Sequence, residues 1–123
     1  MPDALISVHN TSALLCSQDG GRLSSDRHAV DLIGDAMSQG VTMVIIPVSR
    51  LDPSFFQLRS RVAGEIIQKF VTHGVRLAIL GDISEQLAVS ASLRDFVSES
   101  NRGSQFWFAA DLAELERYLT PTT

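Results

Sequence analysis

Arg59, Asp82, Asp52 and Ser84 are the residues of this chain whose types and spacing best suit chemistry. Arg59 falls three residues after Phe56 and four before Ala63, on the apolar stripe of a helix read from about Ser54 to His73. It is therefore expected to point inward, about one turn inside the start of that helix. An inward guanidinium needs a carboxylate, carbonyl oxygens or an anionic ligand, because burying it unpaired is costly. Asp82 and Asp52 each follow an apolar run and are the carboxylates placed to meet it. Two readings stay open: a salt bridge fixing the helix to a strand-end loop, and a site for a small anionic ligand in which Asp82 is an acid or base. Ser49, Arg50, Gly81, Ser84 and Asp111 fall at the same strand ends, where open parallel sheets usually bind ligands.

Other constellations point to surfaces or to plain structure. Arg61, Glu65 and Lys69 are spaced i, i+4, i+8, which predicts either a solvated ladder of alternating charge or a row facing a partner. Gly64 inside the same helix costs about 1 kcal/mol relative to Ala, which implies close approach of another backbone. A strand or a dimer mate would supply it, making Gly64 and Glu65 the interface candidates. Asn101-Arg102-Gly103 reads as a helix end with Asn101 or Gly103 in the left-handed conformation, on the opposite sheet edge from Asp82 and outside its site.

His9, His28 and His73 lack neighbours at metal-ligand spacing, so no metal is expected. No nucleophile-base pair is visible in the sequence, although pairs formed in space stay open. Gly20-Gly21 lacks the spacing and lysine of a phosphate loop, no dinucleotide fingerprint follows a strand, and no cofactor is expected.

The elements that must position these residues follow from hydrophobic patterning. Val41 to Val48, Val75 to Leu80 and Gln105 to Ala109 are short apolar runs bounded by Gly, Pro or Asp, and read as strands buried on both faces. Phe106 and Phe108 should face one side and Trp107 the other. Leu5 to His9 and Ala13 to Ser17, separated by Asn10-Thr11-Ser12, read as an antiparallel hairpin. Helices are expected from about Ser25 to Gly40, from Ser54 to His73, from Ser92 to Ser100 after a loose start, and from Asp111, where Asp111 and Glu114 have capping-box spacing. The result is an α/β fold: a five-stranded mixed, mostly parallel sheet with about four helices joined by right-handed crossovers. All 123 residues form one domain, with 1–3 and 120–123 frayed.

Composition narrows the partners. A net charge of -4 with dispersed Lys and Arg argues against nucleic acid. The single cysteine, Cys16, excludes a disulfide framework and fits a reducing compartment. No apolar run approaches the roughly 20 residues that span a bilayer, and no signal peptide is evident, so a cytoplasmic location is expected.

Several segments together resemble a known bacterial family. They are Phe55-Phe56-Gln57-Leu58-Arg59 running into Ala63-Gly64-Glu65-Ile66-Ile67-Gln68-Lys69-Phe70, then Leu80-Gly81-Asp82, Leu93-Arg94-Asp95-Phe96 and Glu99-Ser100-Asn101-Arg102-Gly103. The chain resembles domain-of-unknown-function family 4180 from about residue 26 to 119, a family that implies no activity. The element order is also similar to the STAS fold of anti-sigma-factor antagonists and their lipid-binding relatives, at the level of fold alone. The phosphorylatable serine of that fold has only Ser54 as its nearest counterpart here. The expectation is a non-catalytic regulatory module that binds a protein partner, a ligand or a second copy of itself. The alternative is a small enzyme acting on an anionic metabolite through Arg59 and Asp82.

Overall fold

The computed structural model describes residues 4–17 and 22–119. The chain opens with β1 (Ala4–Val8) and β2 (Thr11–Leu15), then α1 (Asp26–Ser38) and β3 (Met43–Pro47). Three short 3-10 turns, Val48–Arg50, Pro53–Phe56 and Leu58–Ser60, lead to α2 (Val62–Thr72) and β4 (Arg76–Leu80). α3 (Ser84–Val89), α4 (Ala91–Arg102), β5 (Phe106–Ala109) and α5 (Leu112–Leu119) complete it. The five strands form one sheet in the order β1-β2-β3-β4-β5, antiparallel between β1 and β2 and parallel elsewhere. The α/β fold with a five-stranded, mostly parallel sheet is thus present, with one helix more than expected: α3 occupies the stretch read as a loose start. The ends expected to fray fall outside the described residues.

Both sheet faces are covered, which is why the strands read as continuous apolar runs. Val44, Ile46, Leu77, Ile79, Phe106 and Phe108 pack under α1, α2 and α4. Met43, Ile45, Ala78, Trp107 and Ala109 face the other way, against Leu115 of α5. Trp107 therefore opposes its two phenylalanine neighbours, as strand alternation requires. Arg76 stacks over its ring, 5.9 Å from the centroid.

The hairpin is tighter than expected. His9 and Asn10 both take positive φ, 45° and 62°, as a two-residue type I′ turn demands, so Val8 pairs with Thr11 and the strands end one residue earlier and begin two residues sooner.

The second helix departs most from its sequence pattern. It begins at Val62, because Arg61 sits in the left-handed region (φ 64°) and the preceding residues form 3-10 turns. Ser60 stitches the turns to the helix: its hydroxyl oxygen lies 2.7 Å from the carbonyls of both Ser54 and Gln57, between which its one proton is shared, and accepts the Val62 N–H at 3.2 Å. Phe55, not Phe56, enters the core, with its ring 6.4 Å from Phe106 and 6.3 Å from Phe108.

Two glycines of this region should respond oppositely to alanine. Gly81 has φ 141°, and a Cβ there would meet Val48 Cγ2 at 2.8 Å, whereas a Cβ on Gly64 in α2 would meet nothing within 4 Å. Gly81→Ala is expected to destabilise the fold by about 1–3 kcal/mol. Gly64→Ala should stabilise it by about 0.5–1 kcal/mol. Urea unfolding midpoints check both signs.

Candidate functional site

The strand ends nominated by the sequence carry two copies of one local device. Asp52-Pro53-Ser54 follows β3, and Asp52 Oδ1 accepts the Ser54 N–H at 3.0 Å and the Ser54 hydroxyl at 2.7 Å. Asp82-Ile83-Ser84 follows β4, and Asp82 Oδ1 accepts the Ser84 N–H at 2.9 Å. Both are Asx turns that start a new helical segment. Hydrogen bonding to the ionised form lowers both carboxyl pKa values: from the Ser54 N–H, then its hydroxyl, with Arg22 nearby, for Asp52, and from the Ser84 N–H, then its hydroxyl, for Asp82. Both are ionised at neutral pH, which suits a cap and not a general acid. The Ser54 hydroxyl is held by Asp52, so a phosphoryl group there would stand against a carboxylate.

Arg59 lies elsewhere than the helical pattern placed it. It is exposed, in the turn Leu58–Ser60, and among the described residues no ion pair links it to Asp82 or Asp52. The inward geometry fails because that geometry assumed an unbroken helix through Arg61. Arg59 lines a cavity with Phe56, Leu58, Val89 and Ser92, whereas Asp82 and Ser84 line another of about 310 Å³ with Gly81, Phe108 and Glu114. The structure brings Asp82 and Ser84 together and leaves Arg59 and Asp52 apart from them.

Asn101 also lines the Asp82 cavity, contrary to its assignment to the far edge. Neither Asn101 nor Gly103 is left-handed; Gly103 has φ -88°. Asn101 is instead the last-turn residue of α4 whose side chain accepts the Phe108 N–H at 2.8 Å. At α5 the capping pair holds, with Asp111 accepting the Glu114 N–H at 2.9 Å and Glu114 accepting the Ala110 N–H at 3.1 Å.

The predicted charge ladder is absent as well. Arg61 precedes α2 in place of extending it, and among the described residues no ion pair joins Arg61, Glu65 and Lys69. Gly64 is exposed with open space around it, so among the described residues no strand explains it.

Two features escaped sequence reasoning. At the start of α1, His28, Asp31, Asp35, Arg22 and Arg50 line a cavity of about 260 Å³, with the carboxylates balancing the guanidiniums. The i, i+3, i+7 spacing of His28, Asp31 and Asp35 was the available signal. Ser24 lies 3.2 Å from His28 Nδ1 through both its hydroxyl and its backbone N–H. The amide claims the Nδ1 lone pair, so this contact is a turn and not a nucleophile-base pair.

The second feature is a trough between the turns preceding α2 and the α3-α4 arm. Three cavities of about 360, 490 and 700 Å³ adjoin one another there. The first two share Phe56, Gln57, Val89 and Ser90, and Leu58 joins the second to the third, which reaches Phe96, Gly64 and Lys69. Val89 is 87% exposed on its rim. Among the described residues, no group of His, Cys, Asp and Glu is placed to hold a metal ion, and no helix is long and apolar enough to cross a membrane.

A family model described as Domain of unknown function (DUF4180) matches residues 8–119. The chain belongs to this family. Within this DUF4180 chain the match spans the hairpin turn, all three crossovers and α5, so the trough and both Asx turns are inside the family domain. No curated protein and no solved structure matches the chain.

The lowered carboxyl pKa values set a pH dependence. A carboxylate whose folded pKa lies below its ordinary 3.8 stabilises the fold above that value and loses the contribution as pH falls through the folded pKa. The wild type is therefore expected to lose stability on acidification below 3.8. The double variant Asp52→Asn, Asp82→Asn should show a shallower loss over the same range, measured as urea midpoints against pH.

Proposed function

We propose that this DUF4180 protein is a non-catalytic partner-binding module of the bacterial cytosol whose working surface is the trough beside α2. The observation that carries the reading is the continuity of the three cavities, whose shared lining residues make one mostly apolar trough. The occupant that fits is an amphipathic helix bearing carboxylates. Arg59, Arg61 and Lys69 line the trough against Glu65 alone, a net positive lining on a chain of net charge -4. Gly64, whose missing side chain answers no need within the fold, lets a partner backbone approach α2 closely, with Glu65 beside it on the rim. Buried Cys16 accords with a reducing compartment. The STAS-like element order supports a regulatory role by analogy only. The alternative, an enzyme using Arg59 and Asp82 on an anionic metabolite, is disfavoured because the two line different cavities.

A phage-displayed library of helical peptides about four turns long tests this reading. Selection on the wild type should enrich peptides with apolar residues at helical spacing flanked by Asp or Glu. Their affinity should fall at least about tenfold, or about 1.4 kcal/mol, on Val89→Glu and on Gly64→Trp. Neither variant should lower the urea midpoint appreciably, since both positions are exposed and Gly64→Trp also removes a glycine from the helix. Peptides that bind all three proteins equally, or no enrichment at all, would sink the proposal.

A further inference from the structure

The two edges of the sheet are finished differently. In β5 the carbonyls of Gln105 and Ala109 bond back to β4, so the Phe108 N–H points outward. Asn101 Oδ1 accepts it at 2.8 Å, while Asn101 Nδ2 donates to the Tyr118 hydroxyl at 3.3 Å. Side chains from α4 and α5 thus close over that edge, one of the ways proteins keep strands from pairing with other chains.

Among the described residues β1 has no such cover. Its two-residue turn makes Val8 and Thr11 a hydrogen-bonded pair, so Ala4, Ile6 and Val8 bond to β2 and the N–H and C=O of Leu5 and Ser7 face away. Among the described residues nothing bonds to those outward groups. The strand Ala4–Val8 contains no charge and no proline, and Leu5 is 54% exposed.

We propose that β1 pairs antiparallel with β1 of a second copy of this chain, across a two-fold axis at Ile6. Ile6 then opposes Ile6 of the other copy as a non-hydrogen-bonded pair, and Leu5 exchanges backbone bonds with Ser7 across the axis. A second copy fits better than a foreign strand for three reasons. The strand is uncharged, so identical strands meet without the repulsion expected between surfaces of a chain of net charge -4. The two-fold sets the exposed Leu5 side chains diagonally across from each other on one face, where they bury each other. The Asn101 cover on β5 stops growth at two copies, giving a closed dimer and not a filament. The inference is independent of the trough, which is lined by residues of the helical arm, of α2 and of the turns before it.

Sedimentation velocity over a concentration series tests it. The wild type should reach twice its 13.4 kDa mass. Leu5→Lys should remain at 13.4 kDa, with a urea midpoint that matches the wild type diluted to its monomer, because the side chain it replaces is exposed in the single chain. Ile6→Cys should form an interchain disulfide in oxidising buffer, since a non-hydrogen-bonded pair brings Cα atoms to about 4.5 Å. Native Cys16, at 3% exposure, should contribute little crosslinking. A wild type that stays monomeric at every concentration, a dimer untouched by Leu5→Lys, or dimeric Ile6→Cys that fails to crosslink would each overturn the proposal. So would a dimer abolished by Gly64→Trp alone, which would move the contact to α2.

Discussion

The burial of Phe55 decides how the segment from Asp52 to Arg61 folds, and with it the shape of the helical face. Its ring, 1% exposed, packs across the pair formed by Phe106 and Phe108, themselves 4.9 Å apart, and touches Phe56 edge-on. Burying a phenylalanine contributes about 1.5–3 kcal/mol, and each aromatic pair about 0.5–1.5 kcal/mol beyond that. Against this stands Arg61, whose left-handed backbone costs about 1–2 kcal/mol. The aromatic term is the larger, so the chain gives up a continuous helix, seats Phe55 through two 3-10 turns and starts α2 only at Val62. The same choice leaves Phe56 and Leu58 half-exposed along one wall of the trough and turns Arg59 to solvent.

Strand order removes the usual reason to look for a ligand at the carboxyl ends. Ligand crevices in open α/β sheets form where the strand order reverses and adjacent crossover helices diverge to opposite faces. From β2 to β5 the order here is sequential, and the helices of all three crossovers pack on one face. No reversal opens a crevice, so the two Asp-x-Ser sequences act as starters for the next helical segments. Their hydrogen bonds hold the carboxylates ionised and turned toward their own backbone.

What could be read from the sequence was what depends on neighbours close along the chain or on burial from both sides. The apolar runs Val41 to Val48, Val75 to Leu80 and Gln105 to Ala109 contain the strands Met43–Pro47, Arg76–Leu80 and Phe106–Ala109, and Asp111 with Glu114 marks the start of α5. Arg59 misled because Phe56, Ala63, Ile66 and Phe70 fit a helical stripe by spacing alone. Pattern counting cannot see that the neighbouring Phe55 competes for the same core position from 3-10 backbone. Asn101 misled for a related reason: its cap-like composition is local information, whereas its work is to cover an edge strand that only the tertiary fold defines. The trough, too, joins residues far apart in sequence, from Val48 to Phe96, and has no linear signature.

The two exposed surfaces differ in kind, and the difference follows from how each element is stabilised. β1 joins the core by one face only: Val8 is buried and Ile6 partly so against α5, while Leu5 and Ser7 face outward beside an unpaired backbone. Such a strand gains both hydrogen bonds and apolar burial from another strand, so its complement is extended backbone of its own kind. The trough offers no free backbone ladder, because its walls are helices and turns whose hydrogen bonds are internal. Its complement has to supply side chains to Phe56, Leu58 and Phe96 while satisfying its own backbone, which is the property of a helix. Because each surface demands a different backbone from its partner, occupying one does not compete with the other, and self-association through β1 would present two troughs per assembly.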